Sequence, residues 1–524
     1  MKKIVVLLTV AFTLVLGACQ KSDFEAAYPD PSKISATTVE KQFTGFLNAN
    51  KWYVLPDYWN YFVVLRTTLN RYNQAVGWAN GANQYIPGAA GVNDRWNNYY
   101  NFLAQYREME KVYGKLSTED QADRRIYLIT STIYFYDHTQ KVVDLHGDMP
   151  LSEAGKLSIN GGDYSSSYPK YDTAEGIYTK MLDDLKAFAD ELNTIKVKDG
   201  IQAGFKTQDF VNKGDLTLWK KYCNSLRLRI LTRVSGVAAF QSRANTEIAD
   251  ILNNPTKFPI ITKNTENVQI NVHDLNTDIH SKNFRTGLED WDGNIAGKAM
   301  IDYMNKSTDP RLRAMFEPGV NAKGVYNGLD PMLDASAQTA LIAGGTMAIY
   351  NRSTLSRNQF FPGVLMNAAE ASFLAAEFQL KAGNTAAAKT AYETGIRQSI
   401  EFYFKLRTLS NDDTAGSLMA VTEDEIVKYL ASADVSWDKA TDKLNLIATQ
   451  KWIHFSVVQP VDSWAEIRRL DLPKLSFQVD DANAQKQPPF RWNYPSSEAT
   501  YNATNYNAIK AKDNLSTKLF WDVK

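Results

Sequence analysis

The stretch 365–403, LMNAAEASFLAAEFQLKAGNTAAAKTAYETGIRQSIEFY, decides the fold. Its first half has apolar residues at three- and four-residue steps, which is the period of a helix packed on one face. That half ends at Gly383-Asn384, a signal that stops a helix and starts a turn. A second helix is predicted to follow at once, and it is rich in alanine on the face that must approach its neighbour. The spacing therefore predicts two helices joined by a tight turn.

This pair resembles the tetratricopeptide pattern, although two ordinary helices of an irregular α domain remain an alternative. A single pair cannot bury its own apolar faces, so it needs stacked neighbours. Helical periodicity supplies them near 99–147, 172–235 and 443–459. At 172, Asp172 is predicted as the cap, with Glu175 at the capping-box position. We expect a mainly α fold, a tetratricopeptide-like scaffold of helical pairs in one compact domain over 41–524.

Long irregular insertions are predicted near 72–98 and 271–363. Both regions are rich in asparagine, glycine and aromatic residues. Loops of this length in a compact protein are usually functional or disordered, and their aromatic content argues against disorder. We therefore expect the ligand-binding residues in these insertions.

The first residues resemble a bacterial lipoprotein signal. Two lysines precede thirteen apolar or near-apolar residues, 4–16, and the string LGAC ends at Cys19. Thirteen residues are too few to span a bilayer, which needs roughly 20. We predict a signal peptide over 1–18, a lipid anchor on Cys19 and a tether over 19–40, so that the acyl chains hold the protein on a membrane. The alternative is an ordinary secretory signal in which Cys19 is incidental.

Charge and cysteine content exclude several classes of protein. Removal of 1–18 takes away two lysines and no acid, which leaves 56 basic against 58 acidic residues and a net charge of −2. Without a basic excess, nucleic acid is not an expected partner. With Cys19 acylated, Cys223 is the only free thiol, so there is no disulfide framework, and Cys223 is expected in the core. The 27 tyrosines and 11 tryptophans are rich enough to build a stacking surface for sugars.

No motif for catalysis or metal binding is found in the sequence. The five histidines form no H-E-x-x-H motif and no Cys/His cluster, and neither G-x-S-x-G nor a P-loop is present. His273 and His280 lie seven residues apart with Asp274 and Asp278 nearby, which permits a metal site, but a solvated loop is the simpler interpretation. We therefore expect a protein that is not an enzyme and that has no cofactor and no metal.

Seven dispersed strings identify a family when they are taken together and in order. They are DLHGDMPLSEAG (144–155), PKYDTAEGIYTKMLDDL (169–185), GDLTLWKKYCNSLRLRILTRVS (214–235), TDPRLRAMF (308–316), AEASFLAAEFQLKAG (369–383), ATQKWIHFSVVQPVDSWAEIRRLDLPKL (448–475) and RWNYPSSEATYNATNY (491–506). They resemble the SusD/RagB family of nutrient-binding outer-membrane lipoproteins, in its SusD-like branch, with His146 in place of the usual aromatic residue. Within these strings, Trp219 and Trp452 are expected in the core, and Arg468 and Arg469 are expected to hold helix carboxylates or the last carbonyls of a turn.

The resemblance implies a function. Members of this family use tetratricopeptide-like helical pairs as a frame and bind ligand with irregular insertions. They lie as a lid on a SusC-like TonB-dependent transporter, capture oligosaccharides or, in some members, peptides at the cell surface, and do no covalent chemistry. Asp23 and Glu25 after the anchor resemble the signal for surface exposure, although Phe24 interrupts the acidic run. We expect a lipid-anchored outer-membrane protein that delivers oligosaccharides to such a transporter.

The ligand residues of the family are not encoded in its motifs, so we predict them from composition. Rings that stack on sugar faces, with amides and carboxylates that bind hydroxyl groups, are expected at Trp78, Asn80, Asn83, Tyr85 and Trp96 and, as a second choice, at Trp291, Asp292, Asn294 and Tyr326. For each of these a structural role is the alternative. Other possible functions are a peptide-binding member of the same architecture, a surface hydrolase, and a scaffold that binds only partner proteins.

Overall fold

The computed structural model of the chain describes residues 37–524 and is mainly helical, as predicted. The predicted signal peptide, Cys19 and most of the tether lie outside the described residues. The first helix already begins at Val39, inside the end of the predicted tether. Within 37–524, no helix has both the length and the apolar character that crossing a membrane requires.

The helices are numbered in chain order. The α-helices are α1 (Val39–Ala49), α2 (Asn70–Tyr72), α3 (Ala89–Gly114), α4 (Thr118–Asp123), α5 (Arg125–His146), α6 (Ala174–Glu191), α7 (Asp199–Gln208), α8 (Leu216–Val234), α9 (Ala238–Asn253), α10 (Phe284–Glu289), α11 (Lys298–Ser307), α12 (Leu312–Met315), α13 (Ala335–Ala343), α14 (Ala368–Lys381), α15 (Thr385–Leu409), α16 (Glu423–Ala431), α17 (Lys443–Phe455), α18 (Pro460–Leu470), α19 (Ser496–Tyr501) and α20 (Ala503–Ile509). A π-helix spans Asn60–Leu69, and 3₁₀ turns span Lys51–Tyr53, Asn264–Glu266, Asp290–Asp292 and Lys510–Lys512.

Short strands connect the insertions to the helical frame. They are β1 (Val268–Ile270), β2 (Phe316–Glu317), β3 (Ile349–Tyr350) and β4 (Gly363–Met366). β1 pairs antiparallel with β4, and β2 pairs antiparallel with β3. β4 leads directly into α14, so the first sheet joins the insertion to the helical pair.

The helical pair predicted over 365–403 is present as α14 and α15. Asn367 caps α14 by accepting a hydrogen bond from the Glu370 amide, and the turn between the helices uses Gly383 at φ +81°. The helices cross closely at Gly395, where an added Cβ would lie 2.6 Å from the Phe373 ring. The small residues of the second helix therefore have the packing role that the sequence predicts.

The two largest of four apolar cores in residues 37–524 hold the helical frame and the base of the insertions. The scaffold core packs α1, α3, α5, α6, α8 and α9 together and includes Trp219 and Cys223, both fully buried. The loop-side core packs the π-helix, α10, α11 and α17 and includes Trp452 and Trp464. The predictions that Trp219, Trp452 and Cys223 lie in the core are thereby confirmed.

A network of buried ion pairs joins the frame between these cores. Arg229 on α8 binds Glu370 of α14 and lies 2.8 Å from Asp137 of α5. Glu377 of α14 accepts hydrogen bonds from both terminal nitrogens of Arg469 at 2.7 Å and from the Lys451 ammonium at 2.9 Å. These cations hold the pKa of Glu377 well below its usual value despite its burial, so it stays ionised. Arg469 thus holds a helix carboxylate, as predicted.

The C-terminal segment closes this network. The buried indole of Trp521 donates a hydrogen bond of 2.9 Å to Asp144 of α5, a residue 377 positions earlier. The Arg233 guanidinium lies over the Trp521 ring and also faces Asp144. The last residues are therefore part of the helical frame.

Two details differ from the sequence prediction. α3 begins at Ala89, so the second half of the predicted insertion 72–98 is helical. Thr173, and not Asp172, caps α6 by accepting a hydrogen bond from the Gly176 amide. Asp172 instead accepts hydrogen bonds from the backbone amides of Leu151 and Ser152. Its carboxylate thereby provides an acceptor for two amides of the loop after α5.

Candidate aromatic ligand-binding site

The predicted insertions meet at one place on the molecule. Val76 of the first insertion forms an antiparallel backbone bridge with Ala296, and Gly297 forms a parallel bridge with Leu329. Segments that are more than 200 residues apart in sequence are thus held side by side. The loops form one surface at the edge of the loop-side core.

The π-helix Asn60–Leu69 supplies the floor of this surface. Such helices occur frequently at functional sites, because the wider turn redirects side chains. The Tyr58 and Phe62 rings stack here with centroids 5.0 Å apart and an angle of 19° between their planes. Both side chains are half-buried, so part of each ring reaches the surface.

Arg66 is the central residue of the surface. Its guanidinium lies 4.1 Å from the centroid of the Phe62 ring and 5.1 Å from that of Trp78, and it donates a hydrogen bond to the Asp290 carbonyl. Burial lowers the pKa of Arg66 to about 10, against the opposing effect of nearby Asp290, so it remains charged at neutral pH. Gly293 packs directly on it, since an added Cβ would lie 2.3 Å from the Arg66 side chain. Arg66 therefore connects both insertions to the π-helix.

Trp291 stands on the loop that Arg66 holds. Its side chain is 81% exposed, which is exceptional for a tryptophan. Both Trp291 (φ 58°) and Asp292 (φ 57°) adopt the left-handed conformation, which costs roughly 1–2 kcal/mol at each non-glycine residue. Strain of this kind persists only where the surroundings enforce it, and it clusters at functional sites.

We call Tyr58, Phe62, Trp78 and Trp291, arranged around Arg66, the aromatic face. Trp78 and Trp291 are among the residues predicted from the sequence, whereas Tyr58, Phe62 and Arg66 are not. The aromatic density of DYWNYF (57–62) was the available signal, but it was not used, because nothing in the sequence shows that this segment forms a π-helix beneath the loops.

The remaining polar candidates from the first insertion have different surroundings. Asn80 joins the two insertions, because its side-chain amide donates hydrogen bonds to the carbonyls of Pro331 (2.9 Å) and Leu333 (2.8 Å). Asn83 is exposed in the left-handed conformation at φ 58°. Asn83 is therefore available to a ligand, whereas the Asn80 amide is engaged in joining two insertions.

The other aromatic candidates are buried or half-buried. Tyr85 is buried, and its hydroxyl donates to the Gln478 carbonyl at 2.6 Å. Trp96 lies in the scaffold core, and its indole donates to Glu498 at 3.1 Å. Tyr326 is half-buried against the loop-side core, and burial raises its pKa. In this arrangement the rings of Tyr85 and Trp96 support the fold and are not accessible to an external ligand.

Two polar candidates from the second insertion, Asp292 and Asn294, differ in their exposure near Trp291. Asp292 is exposed beside Trp291, as is Asp290 on its other side. Asn294 is buried, and its backbone carbonyl accepts a hydrogen bond from the Tyr350 amide at 2.8 Å. Carboxylates therefore flank Trp291, while Asn294 anchors the loop to β3.

No group of three or more potential metal ligands occurs within residues 37–524. His280 packs with its ring centroid 6.0 Å from that of Trp52. His273 is exposed in its loop, where partial desolvation and the nearby Lys213 charge lower its pKa. The structure thus brings no set of ligands around the two histidines for which the sequence permitted a metal site.

Comparisons with known proteins agree on one family. A SusD-like family model, described as "Starch-binding associating with outer membrane", matches residues 46–495. No curated protein matches the chain. Among solved structures, the chain is similar to a chitin-binding protein (TM-score 0.71, 20% identity, 92% of this chain and 100% of the other).

Two further structures show the same fold. They are a SusD-like protein from Bacteroidetes (TM-score 0.73, 21% identity) and a SusD homologue from Bacteroides fragilis (TM-score 0.72, 20% identity), and each match covers 93% of this chain and 100% of the other. At such identities these likenesses establish the fold alone, whereas the family model covers most of the sequence. The chain therefore belongs to the SusD/RagB family, in its SusD-like branch.

Proposed function

We propose that this protein captures oligosaccharides on the aromatic face. The observation that carries the proposal is Trp291, a large ring that is 81% exposed and held in a left-handed conformation by a loop fixed to Arg66. An exposed ring in a strained and supported position costs stability unless something binds to it. Sugar rings present flat apolar faces of C–H groups, which suit a ring of this kind.

The surroundings of Trp291 fit the polar rim of a sugar. Asp290, Asp292 and Asn83 are exposed carboxylate and amide groups that can accept or donate hydrogen bonds to hydroxyl groups. Because Arg66 fixes the loop before ligand arrives, less entropy is lost on binding. The proposed site is shallow and preorganised, and it has no arrangement of groups that we assign to bond cleavage.

Delivery and location complete the proposal. We infer a lipid anchor on Cys19, exposure on the cell surface, and a SusC-like TonB-dependent transporter that receives the sugar. The family description, which associates the family with the outer membrane, supports this location. The name of one structural relative, a chitin-binding protein, makes chitin fragments a first ligand to test beside starch fragments.

The decisive experiment is a binding titration of the Trp291→Ala variant against maltooligosaccharides and chitooligosaccharides. Loss of one stacking ring costs about 1–3 kcal/mol by analogy with other stacking surfaces, which corresponds to a roughly 5- to 150-fold weaker Kd. The matched control is Tyr501→Ala, because Tyr501 is similarly exposed (74%) and lies outside the aromatic face. Equal sugar affinity in both variants would remove Trp291 from the site.

The alternative ligands are tested with the same variant. Binding of a peptide panel, but of no glycan, with the same loss on Trp291→Ala would assign the aromatic face to peptides. Reducing-end assays on the glycan panel are expected to show no products. Affinity purification of the membrane-bound protein is expected to recover a large TonB-dependent barrel, and recovery without one would contradict the lid.

A further inference from the structure

A small polar cleft lies between the π-helix, α5 and the start of α18. Its volume is about 60 Å³, and its lining includes Tyr53, Asn60, Arg95, Lys141 and Val461. At about 10–15 Å³ for each water, this space accommodates a small ion with a few waters but not a hexose. The cleft does not include Phe62, Trp78 or Trp291, so it is separate from the aromatic face.

Arg95 is the unusual group in this cleft. The residue is 3% exposed, yet within residues 37–524 its guanidinium has neither a hydrogen-bond acceptor nor a carboxylate within ion-pair distance. Its one close partner is the Tyr53 ring, 4.4 Å from the guanidinium carbon. A buried charge without a partner costs several kcal/mol, so buried arginines are normally paired. Three other buried arginines, Arg229, Arg311 and Arg469, are paired with carboxylates, and the buried Arg468 donates to backbone carbonyls.

Three further features make the cleft attractive to an anion. The Lys141 side chain lines it, with its ammonium 3.0 Å from Asp137. α18, a helix of 11 residues, begins at Pro460, and the residues of its N-terminal end line the cleft, where the helix dipole favours negative charge. Asn60 is 7% exposed, and its side chain carries an amide into the lining of the cleft.

The acidic groups nearby already face another cation. The carboxylate of Asp462, which also lines the cleft, lies 3.9 Å from Arg229 and 3.5 Å from the Gln459 amide. Glu370 binds the same arginine, and burial together with Asp462 raises the pKa of Glu370. Asp462 and Glu370 both face Arg229, and neither forms an ion pair with Arg95 among the described residues.

We propose that the cleft is a binding site for a small monovalent anion, either a halide or a carboxylate group, held by the Arg95 guanidinium, the Asn60 amide and the N-terminal end of α18. Because Asn60 is the first residue of the π-helix, a bound anion also fixes the helix that carries Phe62 and Arg66. This inference does not depend on the identity of the nutrient.

The test uses the purified full-length protein in 0.1 M sodium salts at constant ionic strength. Gluconate, which is too large for the cleft, is the reference, and chloride, bromide, formate and acetate are compared with it. For a dissociation constant near 1 mM, saturation raises Tm by about 2–3 °C, given the entropy of unfolding of a chain of this size. Stabilisation by the halides identifies a free ion as ligand, and stabilisation by formate and acetate alone identifies a carboxylate group.

Bromide-soaked crystals give an independent readout. We expect an anomalous peak within hydrogen-bond distance of the Arg95 guanidinium. Arg95→Gln should abolish both the peak and the anion-specific rise in Tm, whereas Arg243→Gln, which alters a paired surface arginine on α9, should retain them. A cleft that contains only water in the bromide crystals, together with one Tm in all five salts, would overturn the proposal, whether or not the variants fold.

Discussion

Replacing Arg66 by methionine tests whether the aromatic face is preorganised. Methionine has a similar length and remains apolar, but it has no charge and no donor. The change removes the hydrogen bond to the Asp290 carbonyl and the contacts with the Phe62 and Trp78 rings. A charge-assisted hydrogen bond contributes about 1.5–3 kcal/mol, and each cation–π contact about 0.5–1 kcal/mol. After the benefit of no longer burying a charge is subtracted, we expect the free energy of local opening of the loop to fall by about 2–3 kcal/mol.

Native-state hydrogen exchange measures that loss directly. The amides of Gly293 and Ile295 donate hydrogen bonds within the loop at 3.3 Å, and their exchange should accelerate roughly 30- to 150-fold, while amides of α8 remain unchanged. Global stability should fall by no more than the same amount, about 2–3 kcal/mol, because the contacts are lost from the native state and are absent from the unfolded chain. Unchanged exchange at Gly293 and Ile295 would refute the reasoning, and it would assign the order of the loop to the Val76–Ala296 bridge.

Three other predictions concern the frame. Burial lowers the pKa of His146 to about 3, so below pH 6.5 the unfolded chain binds a proton that the native state does not bind. The free energy of unfolding should therefore fall by about 2 kcal/mol between pH 6.5 and 5. Urea titrations at the two pH values should show that His146→Phe abolishes this part of the fall. Gly395→Ala should destabilise by about 1–3 kcal/mol through overpacking, whereas Gly45→Ala, with open space around it, should stabilise by about 0.5–1 kcal/mol; equal midpoints would contradict the close crossing. Glu377→Gln should cost about 3–5 kcal/mol in the same assay, because it leaves the buried Arg469 and Lys451 to share the one carboxylate of Glu466. A cost below about 1 kcal/mol would show that Glu466 alone compensates both charges.

The helical frame could be predicted from the sequence because its signals are local. The pair α14–α15 is read from periodicity, the Gly383-Asn384 turn and small residues, and the structure has it in the expected place. Boundaries were less predictable. Asp172 and Thr173 are both good caps, and the choice between them depends on the amides of Leu151 and Ser152, which approach from another part of the chain.

The aromatic face was only partly predictable, because its members are brought together by tertiary contacts. Composition points to Trp78 and Trp291 as unusual residues in loops. Exposure cannot be predicted from composition, so the sequence places Trp96 among the first choices and Trp291 among the second. The structure buries Trp96 to 2% exposure and leaves Trp291 at 81%. Arg66 lies in an apolar run, NYFVVLRTTL, and its role depends on Asp290, which is 224 residues away.

The contact between Trp521 and Asp144 has a consequence for how the molecule is made. A hydrogen bond across 377 positions cannot form until Trp521 has been synthesised and has left the ribosome. Contacts of such separation form slowly, because the intervening loop must be closed before they contribute free energy. The Asp144 carboxylate therefore lacks its indole hydrogen bond until late in synthesis, and the helical frame is incomplete until then. Until Trp521 is available, the unfinished frame remains accessible to chaperones or to a translocation channel.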